Sequence, residues 1–138
     1  MRQLGLLLAA SAALAACAPA AIPHQARQVD PVLGTAARGA LGTVLTADGQ
    51  TVYLYTKDVP RETRCYGDCA QTWPPIIVTR HPDVRGDLPG KLGTVIREDG
   101  RRQLTYNDVP IYLYIEDSPS SDDANGQNVD REWYVVHP

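Results

Sequence analysis

The 138-residue chain contains no phenylalanine, one methionine and three cysteines. Without Phe, the aromatic part of any core must be built from the seven Tyr and two Trp residues, whose buried O–H and N–H groups need hydrogen-bond partners. The one methionine is Met1, so the rest of the chain offers no thioether ligand for copper. The composition therefore predicts a core of polar aromatic rings and argues against a Met-based copper centre.

An excess of one charge sign is also lacking. The chain has 13 Lys and Arg residues against 16 Asp and Glu residues, a net charge of −3, and the two signs are interspersed along the sequence. A surface that binds nucleic acid needs clustered basic residues. We therefore expect no nucleic-acid partner.

The apolar run "LGLLLAASAALAA" follows Met1 and Arg2 at the N-terminus. A run of about a dozen residues is too short to span a bilayer, which needs roughly 20. A positive start, a short apolar stretch and small residues before Cys17 are typical of a secretion signal. The "LAAC" at 14–17 resembles a bacterial lipobox, which implies cleavage before Cys17 and attachment of a lipid to its thiol. An ordinary signal peptide with an incidental Cys is the alternative.

These features divide the chain into a lipoprotein signal peptide at 1–16, a lipid-anchored flexible linker at 17–40 and a folded part at 41–138. The linker is rich in Ala, Pro and Gly and shows no sustained period. Ala18 stands where an Asp would be the usual sign of retention in the inner membrane, so the resemblance favours the outer membrane, with the domain facing the periplasm. The folded part is long enough for one small domain.

Cys65 and Cys69 of "CYGDC" remain once Cys17 carries the lipid. In an oxidising compartment this pair predicts a disulfide. The spacing differs from the two-residue spacing of thioredoxin-like redox pairs, and the "CxxCH" haem attachment motif is absent. We therefore expect a structural bridge rather than a catalytic thiol.

The predicted domain contains a tandem repeat. "GTVLTADGQ" at 42–50 matches "GTVIREDGR" at 93–101, which leaves the second copy with an extra segment, "RQLTYNDVP". Each copy then has two Tyr residues, an Asp and a Trp at corresponding places. These are Tyr53, Tyr55, Asp58 and Trp73 in the first copy and Tyr112, Tyr114, Asp117 and Trp133 in the second. We predict repeats at about 41–80 and 92–138.

Each part of the repeat is short, rich in β-branched and aromatic residues, and bounded by Asp-Gly, Asn-Asp or Pro turn signals. This pattern predicts an all-β fold, a small antiparallel domain built from the two repeats. Asp58 and Asp117 follow strand ends, where a carboxylate can accept backbone N–H groups of a turn or a Tyr hydroxyl from a neighbouring strand. A shared binding surface formed by the rings is the alternative.

The lipobox, the duplicated Tyr-x-aromatic-x-x-Asp motif and "CYGDCAQTWPP" at 65–75 together resemble the bacterial lipoproteins defined by that motif, also described as a secreted repeat of unknown function. The resemblance covers roughly 41–138. It implies a small extracytoplasmic β domain and no catalytic residue.

One stretch, "SDDANGQNVDRE" at 121–132, can be aligned with a calcium-binding loop. The aligned ligands are Ser121, Asp123, Asn125 and Glu132, with Gly126 at the sharp turn. The first ligand is only a Ser, and the flanking sequences predict a turn and a strand rather than two helices. A solvated, turn-rich loop is the favoured alternative, so we predict neither a metal site nor another cofactor.

The sequence contains no "GxSxG" motif and no pair of His residues at ligand spacing. We expect a non-enzymatic, lipid-anchored envelope protein whose duplicated Tyr and Trp residues form a surface for another envelope protein or a small ligand. Contact with the membrane is expected through the lipid. The alternative is an envelope redox or electron-transfer accessory protein with a cofactor site that the sequence does not reveal.

Overall fold

The computed structural model describes residues 29–119 and 121–138, so Cys17 and the predicted signal peptide lie outside the described residues. The described part forms eight strands and one short α-helix: β1 (Leu33–Ala37), β2 (Thr43–Ala47), β3 (Gln50–Thr51), β4 (Tyr53–Tyr55), α1 (Asp68–Thr72), β5 (Leu92–Ile96), β6 (Arg102–Tyr106), β7 (Val109–Pro110) and β8 (Trp133–Val135). Two single-turn 3-10 helices lie at Gly39–Leu41 and Val129–Arg131. All the strand pairs are antiparallel. The predicted all-β class is confirmed.

Two three-stranded sheets have the same topology. One has the strand order β1-β2-β3 and the other β5-β6-β7. Leu33 pairs with Ala47 in the first sheet as Leu92 pairs with Tyr106 in the second. Each of these sheets therefore belongs to one copy of the repeat.

The structure corrects the alignment of the repeats. Leu33 corresponds to Leu92 and Tyr53 to Tyr112, an offset of 59 residues in both cases, so 33–58 aligns with 92–117 without a gap. The predicted match of "GTVLTADGQ" with "GTVIREDGR" is wrong because it equates β2 with β5. The supposed extra segment at 102–110 is the counterpart of β2, its turn and β3.

The predicted linker also ends too late, because β1 lies within 17–40 and pairs along its whole length with β2. Leu33 is fully buried. The carboxylate of Asp30 accepts the backbone N–H groups of Thr79 and Arg80, which ties an even earlier residue to the fold. The small residues of "LGTAA" have little intrinsic strand preference, so pairing with β2 decides their conformation.

Strands of the two repeats pair with each other. β4 of the first repeat pairs with β8 of the second, with Tyr55 opposite Trp133. In the other direction, Tyr112 of the second repeat bridges to Pro75 of the first. At the centre Tyr53 and Tyr112 each donate a backbone N–H to the carbonyl of the other, both at 2.9 Å. An approximate two-fold axis passes through this pair, so each repeat completes the fold of the other.

The core has an aliphatic and an aromatic part. The aliphatic part is centred on Leu33, Leu45, Val52, Ile76, Leu104 and Ile111. The aromatic part is centred on Tyr53, Trp73, Tyr112, Tyr114 and Trp133, with Val44, Cys65 and Val135 packed among them. The aromatic part of the core thus consists of Tyr and Trp rings, as the composition predicts.

Candidate functional site

Four rings from the two repeats form a continuous stack, called the aromatic stack below. Tyr55, Trp133, Trp73 and Tyr114 follow one another with ring centroids 4.2, 4.0 and 4.1 Å apart. The two indoles are almost parallel, with an interplanar angle of 2°. The rings alternate between the first and second repeats, so the stack fastens the repeats together.

Tyr53 and Tyr112 lie edge-on to the stack and hold the carboxylates of the opposite repeat. Tyr53 Oη donates to Asp117 Oδ2, and Tyr112 Oη donates to Asp58 Oδ2, each at 2.5 Å. Both bonds cross between the repeats. We call this reciprocal arrangement the Tyr–Asp exchange.

The second oxygen of each carboxylate accepts a backbone N–H from the loop that follows. Asp58 Oδ1 accepts the N–H of Arg64 at 2.7 Å, and Asp117 Oδ1 accepts the N–H of Asn125 at 2.9 Å. Both Asp residues therefore make the two kinds of bond that their position at the strand ends predicts.

Gly126 allows the loop after Asp117 to approach the rings closely. Its N–H donates to Tyr53 Oη at 3.2 Å. A Cβ at this position would lie 2.7 Å from Tyr53 Cε1 and 2.8 Å from Trp73 Cη2. Since neither ring can move without breaking the cluster, the close approach requires glycine.

Burial decides the ionisation of these groups. Burial raises the pKa of Asp58 above its ordinary value of 3.8, although the hydrogen bonds from Tyr112 and Arg64 act in the opposite direction. Burial, together with the hydrogen bond to the opposite Asp, also raises the pKa of the Tyr53 and Tyr112 hydroxyls far above their ordinary value. Both phenols therefore stay protonated and act as hydrogen-bond donors.

Two buried arginines occupy equivalent positions, and the sequence analysis missed both. Arg38 is 6% exposed and Arg97 is 2% exposed. They end the related segments "LGTAAR" at 33–38 and "LGTVIR" at 92–97. The correct alignment would have paired them and marked them as part of the repeat.

The arginines bind different partners. Arg38 Nε donates to Thr51 Oγ1 at 2.9 Å, and its Nη1 pairs with the exposed Asp122 at 3.0 Å. Arg97 Nη1 donates to Gln103 Oε1 at 2.6 Å, and Nη2 donates to the carbonyl of Cys65 at 2.8 Å. Arg97 thus connects the second sheet to the disulfide loop.

The predicted disulfide is present and joins Cys65 to Cys69. Cys65 is fully buried within the aromatic part of the core. The bridge closes the turn that leads into α1, and α1 leads directly to Trp73. The disulfide therefore helps to position one of the two indoles.

The predicted calcium ligands have separate protein partners. Ser121 Oγ donates to the carbonyl of Ser118 at 3.0 Å, while Asp123 Oδ2 accepts the N–H of the same residue at 2.9 Å. The amide of Asn125 donates weakly to the carbonyl of Glu116, and Glu132 pairs with Lys57 at 2.6 Å. Within 29–119 and 121–138, no three His, Cys, Asp or Glu residues form a group that could hold a metal ion.

The predicted aromatic binding surface is wrong. Tyr53 and Tyr112 are fully buried, and Trp73 and Trp133 are 4% and 3% exposed. Tyr55 is half-buried at one end of the stack. Apart from Tyr55, the rings are interior because they pair across the two repeats, so they do not form a surface for a partner.

The profile of a protein family described as a secreted repeat of unknown function matches the chain twice, over residues 35–77 and 93–137. The chain belongs to this family. The two matches coincide with the two copies of the repeat in the structure, and the predicted family is confirmed. No curated protein and no solved structure matches the chain.

The family description places this secreted repeat in the cell envelope or outside the cell. None of the helices in the described part of the secreted repeat is long and apolar enough to cross a membrane.

Replacing Tyr53 by Phe is expected to destabilise the fold by about 1–3 kcal/mol, because it leaves an oxygen of the buried Asp117 without its donor. Tyr112→Phe should cost less, since Asp58 is half-buried and water can replace the lost bond. Urea denaturation measures both changes. Tyr134→Phe, at a half-exposed ring, is the matched control, and equal effects of all three substitutions would contradict the role of the Tyr–Asp exchange.

Asp58→Asn is expected to change how stability depends on pH. The pKa of Asp58 is raised in the folded state, so its contribution to stability is fully present below the unfolded pKa and is lost as pH rises through the folded pKa. The free energy of unfolding of the wild type, relative to that of Asp58→Asn, should therefore decrease as pH rises above the ordinary Asp pKa of 3.8 and through the raised pKa of the folded state. Urea denaturation across this range tests it, and a difference that grows with pH would contradict it.

Proposed function

We propose that this secreted repeat is a non-enzymatic binding module of the cell envelope, anchored by a lipid on Cys17 and facing the periplasm from the outer membrane. The "LAAC" sequence supports the lipid anchor, and the description of the family as secreted supports the compartment. Its partner is another envelope protein or a small ligand. Since the aromatic rings are interior, the partner binds elsewhere on the domain.

An open groove beside β1 is the observation that carries this proposal. Its volume is about 390 Å³, within the range of about 300–1,000 Å³ typical of ligand pockets. The groove is lined by Val32, Leu33, Gly34, Thr35, Ala36, Thr46, Asp48, Gly49 and Arg85. The side chains of Gly34, Thr35 and Ala36 that line it are small, and Asp48 and Arg85 supply one charge of each sign.

The placement of reactive side chains supports binding rather than catalysis. Three groups of the Tyr–Asp exchange have raised pKa values, namely Asp58, Tyr53 and Tyr112. Each of them is already hydrogen-bonded to a residue of the other repeat. The groove lining contains neither His nor Cys, and the carboxylate of Asp48 accepts the N–H of Val32 at 2.9 Å. The single carboxylate of the groove lining is thus engaged by the backbone.

Site-specific photo-crosslinking in the producing cells tests the proposal. A crosslinking amino acid in place of Thr35, which is exposed in the groove, is expected to give a discrete product with one envelope protein. Gln71, exposed on α1 and outside the groove lining, is the matched control position. Cys17→Ser should release the chain from the membrane fraction and reduce the Thr35 product.

Two results would contradict the proposal. Identical products from the Thr35 and Gln71 positions would show that the groove has no specific partner. Retention of the Cys17→Ser chain in the membrane fraction would show that the lipid is not the anchor. A small ligand instead of a protein would appear as a retained mass in native mass spectrometry of the purified domain.

An electron-transfer accessory protein is the second candidate, favoured by the aromatic stack. Its rings are about 4 Å apart, and half-buried Tyr55 brings one end to the surface. A photogenerated ruthenium(III) complex, as external oxidant, would remove one electron from this end. Transient absorption should then detect a Trp radical that forms more slowly in Tyr55→Leu than in the wild type. Equal rates of radical formation in both proteins would contradict the candidate.

A further inference from the structure

An extended segment of the chain covers the outer edge of β1. Leu33 N–H donates to the carbonyl of Asp83 at 2.8 Å, and Arg85 N–H donates to the carbonyl of Leu33 at 2.7 Å. Val84 between them forms a parallel bridge with Leu33. Arg85 packs against the next residue, since a Cβ on Gly34 would lie 3.6 Å from the Arg85 carbonyl oxygen. The first repeat thus binds a short parallel strand with the sequence Asp-Val-Arg.

The second repeat presents the same edge without a cover. Leu92, Gly93 and Thr94 of β5 repeat the sequence Leu-Gly-Thr found at 33–35. A Cβ on Gly93 would contact Thr105 Oγ1, just as a Cβ on Gly34 would contact Thr46 Oγ1. Gly34 also lies close to Arg85, whereas no other chain segment lies within 4 Å of the Cβ position on Gly93. The place that Arg85 occupies beside β1 is therefore open beside β5.

The hydrogen-bond pattern shows which groups of β5 are free. The carbonyl of Lys91 accepts an N–H from beyond the end of β6, and Arg97 N–H donates to a carbonyl in the turn before β6. Because bonded and outward positions alternate in an antiparallel pair, Leu92, Thr94 and Ile96 direct their N–H and C=O groups away from β6. In the described part of the chain, no hydrogen bond reaches these outward groups.

We propose that the free edge of β5 binds an extended segment of a partner protein, which adds a parallel strand with the acidic–apolar–basic pattern of 83–85. An unpaired edge is a template for such strand addition. Exposed Lys91 directly precedes Leu92, so the acidic residue that begins a parallel segment in the register of 83–85 lies beside a positive charge. A second copy of this chain is disfavoured because its own 83–85 segment is already bound to β1.

This inference goes beyond the proposed function and uses a different surface. The groove beside β1 is tested by crosslinking at Thr35, whereas the edge of β5 is tested by peptide binding. Failure of one experiment therefore leaves the other unaffected.

The probe is a synthetic peptide with the sequence of residues 81–87, HPDVRGD, with both ends blocked. It is titrated, up to about 1 mM, into the isotope-labelled mature chain carrying Cys17→Ser while amide NMR shifts are recorded. The expected shifts are concentrated at Leu92, Thr94 and Ile96. The reversed peptide, which inverts the charge order, is the ligand control.

Two variants at one position test the role of the backbone. Leu92 is the counterpart of Leu33, whose N–H and carbonyl make both bonds to the 83–85 segment. Leu92→Pro removes an outward N–H that the hairpin does not use, and the first residue of an edge strand tolerates Pro. It should weaken peptide binding by at least about tenfold. Leu92→Ala keeps the N–H and should bind as the wild type does. Unfolding of Leu92→Pro would be visible in its NMR spectrum, and the pattern of shifts in the wild type still decides the question.

Four outcomes would overturn the inference: no shifts with the peptide, equal binding to Leu92→Pro, equal binding of the reversed peptide, or shifts confined to Leu33 and Gly34. The last would mean that the peptide displaces the chain's own segment from β1. Sedimentation of the chain alone gives a further check. A dimer that Leu92→Pro dissociates would assign the edge to a second copy instead.

Discussion

Asp117 is buried and Asp58 half-buried, and each takes its Tyr donor from the opposite repeat. Taking a carboxylate out of water costs free energy that hydrogen-bond donors must offset, and for each Asp one of these donors comes from the other repeat. The pairing of β4 with β8 and the aromatic stack follow from this requirement, because they bring Tyr53 and Tyr112 to the two-fold axis. The two Tyr-Leu-Tyr segments and the Asp residues that follow them therefore form two halves of one interlocked core.

Symmetry inside the protein contrasts with asymmetry at its surface. Reciprocal contacts require the same residue types in both copies, which explains why Leu-Gly-Thr, Tyr-Leu-Tyr and the Asp recur at a constant offset. Groups at the surface are free of that requirement. β1 is covered by the 83–85 segment and β5 is not. Such differences between otherwise equivalent edges are where a duplicated domain can acquire a binding site.

Much of the fold was predictable, because strand alternation and turn residues are local signals. The all-β class, the disulfide of Cys65 and Cys69 and the bonding of Asp58 and Asp117 at strand ends agree with expectation. β1 was missed because its small residues carry no strand signal. That omission shifted the alignment of the first strands by one strand and concealed Arg38 and Arg97.

The sequence by itself determined the all-β class, the duplication and a core built from Tyr and Trp, because composition and short-range patterning decide these properties. Only the tertiary structure decided that the rings are buried, that the Tyr–Asp bonds cross between repeats and that one edge is covered while its twin is open. These outcomes depend on contacts between residues that are about 60 positions apart, and alternation along a strand carries no information about which distant strand will lie beside it.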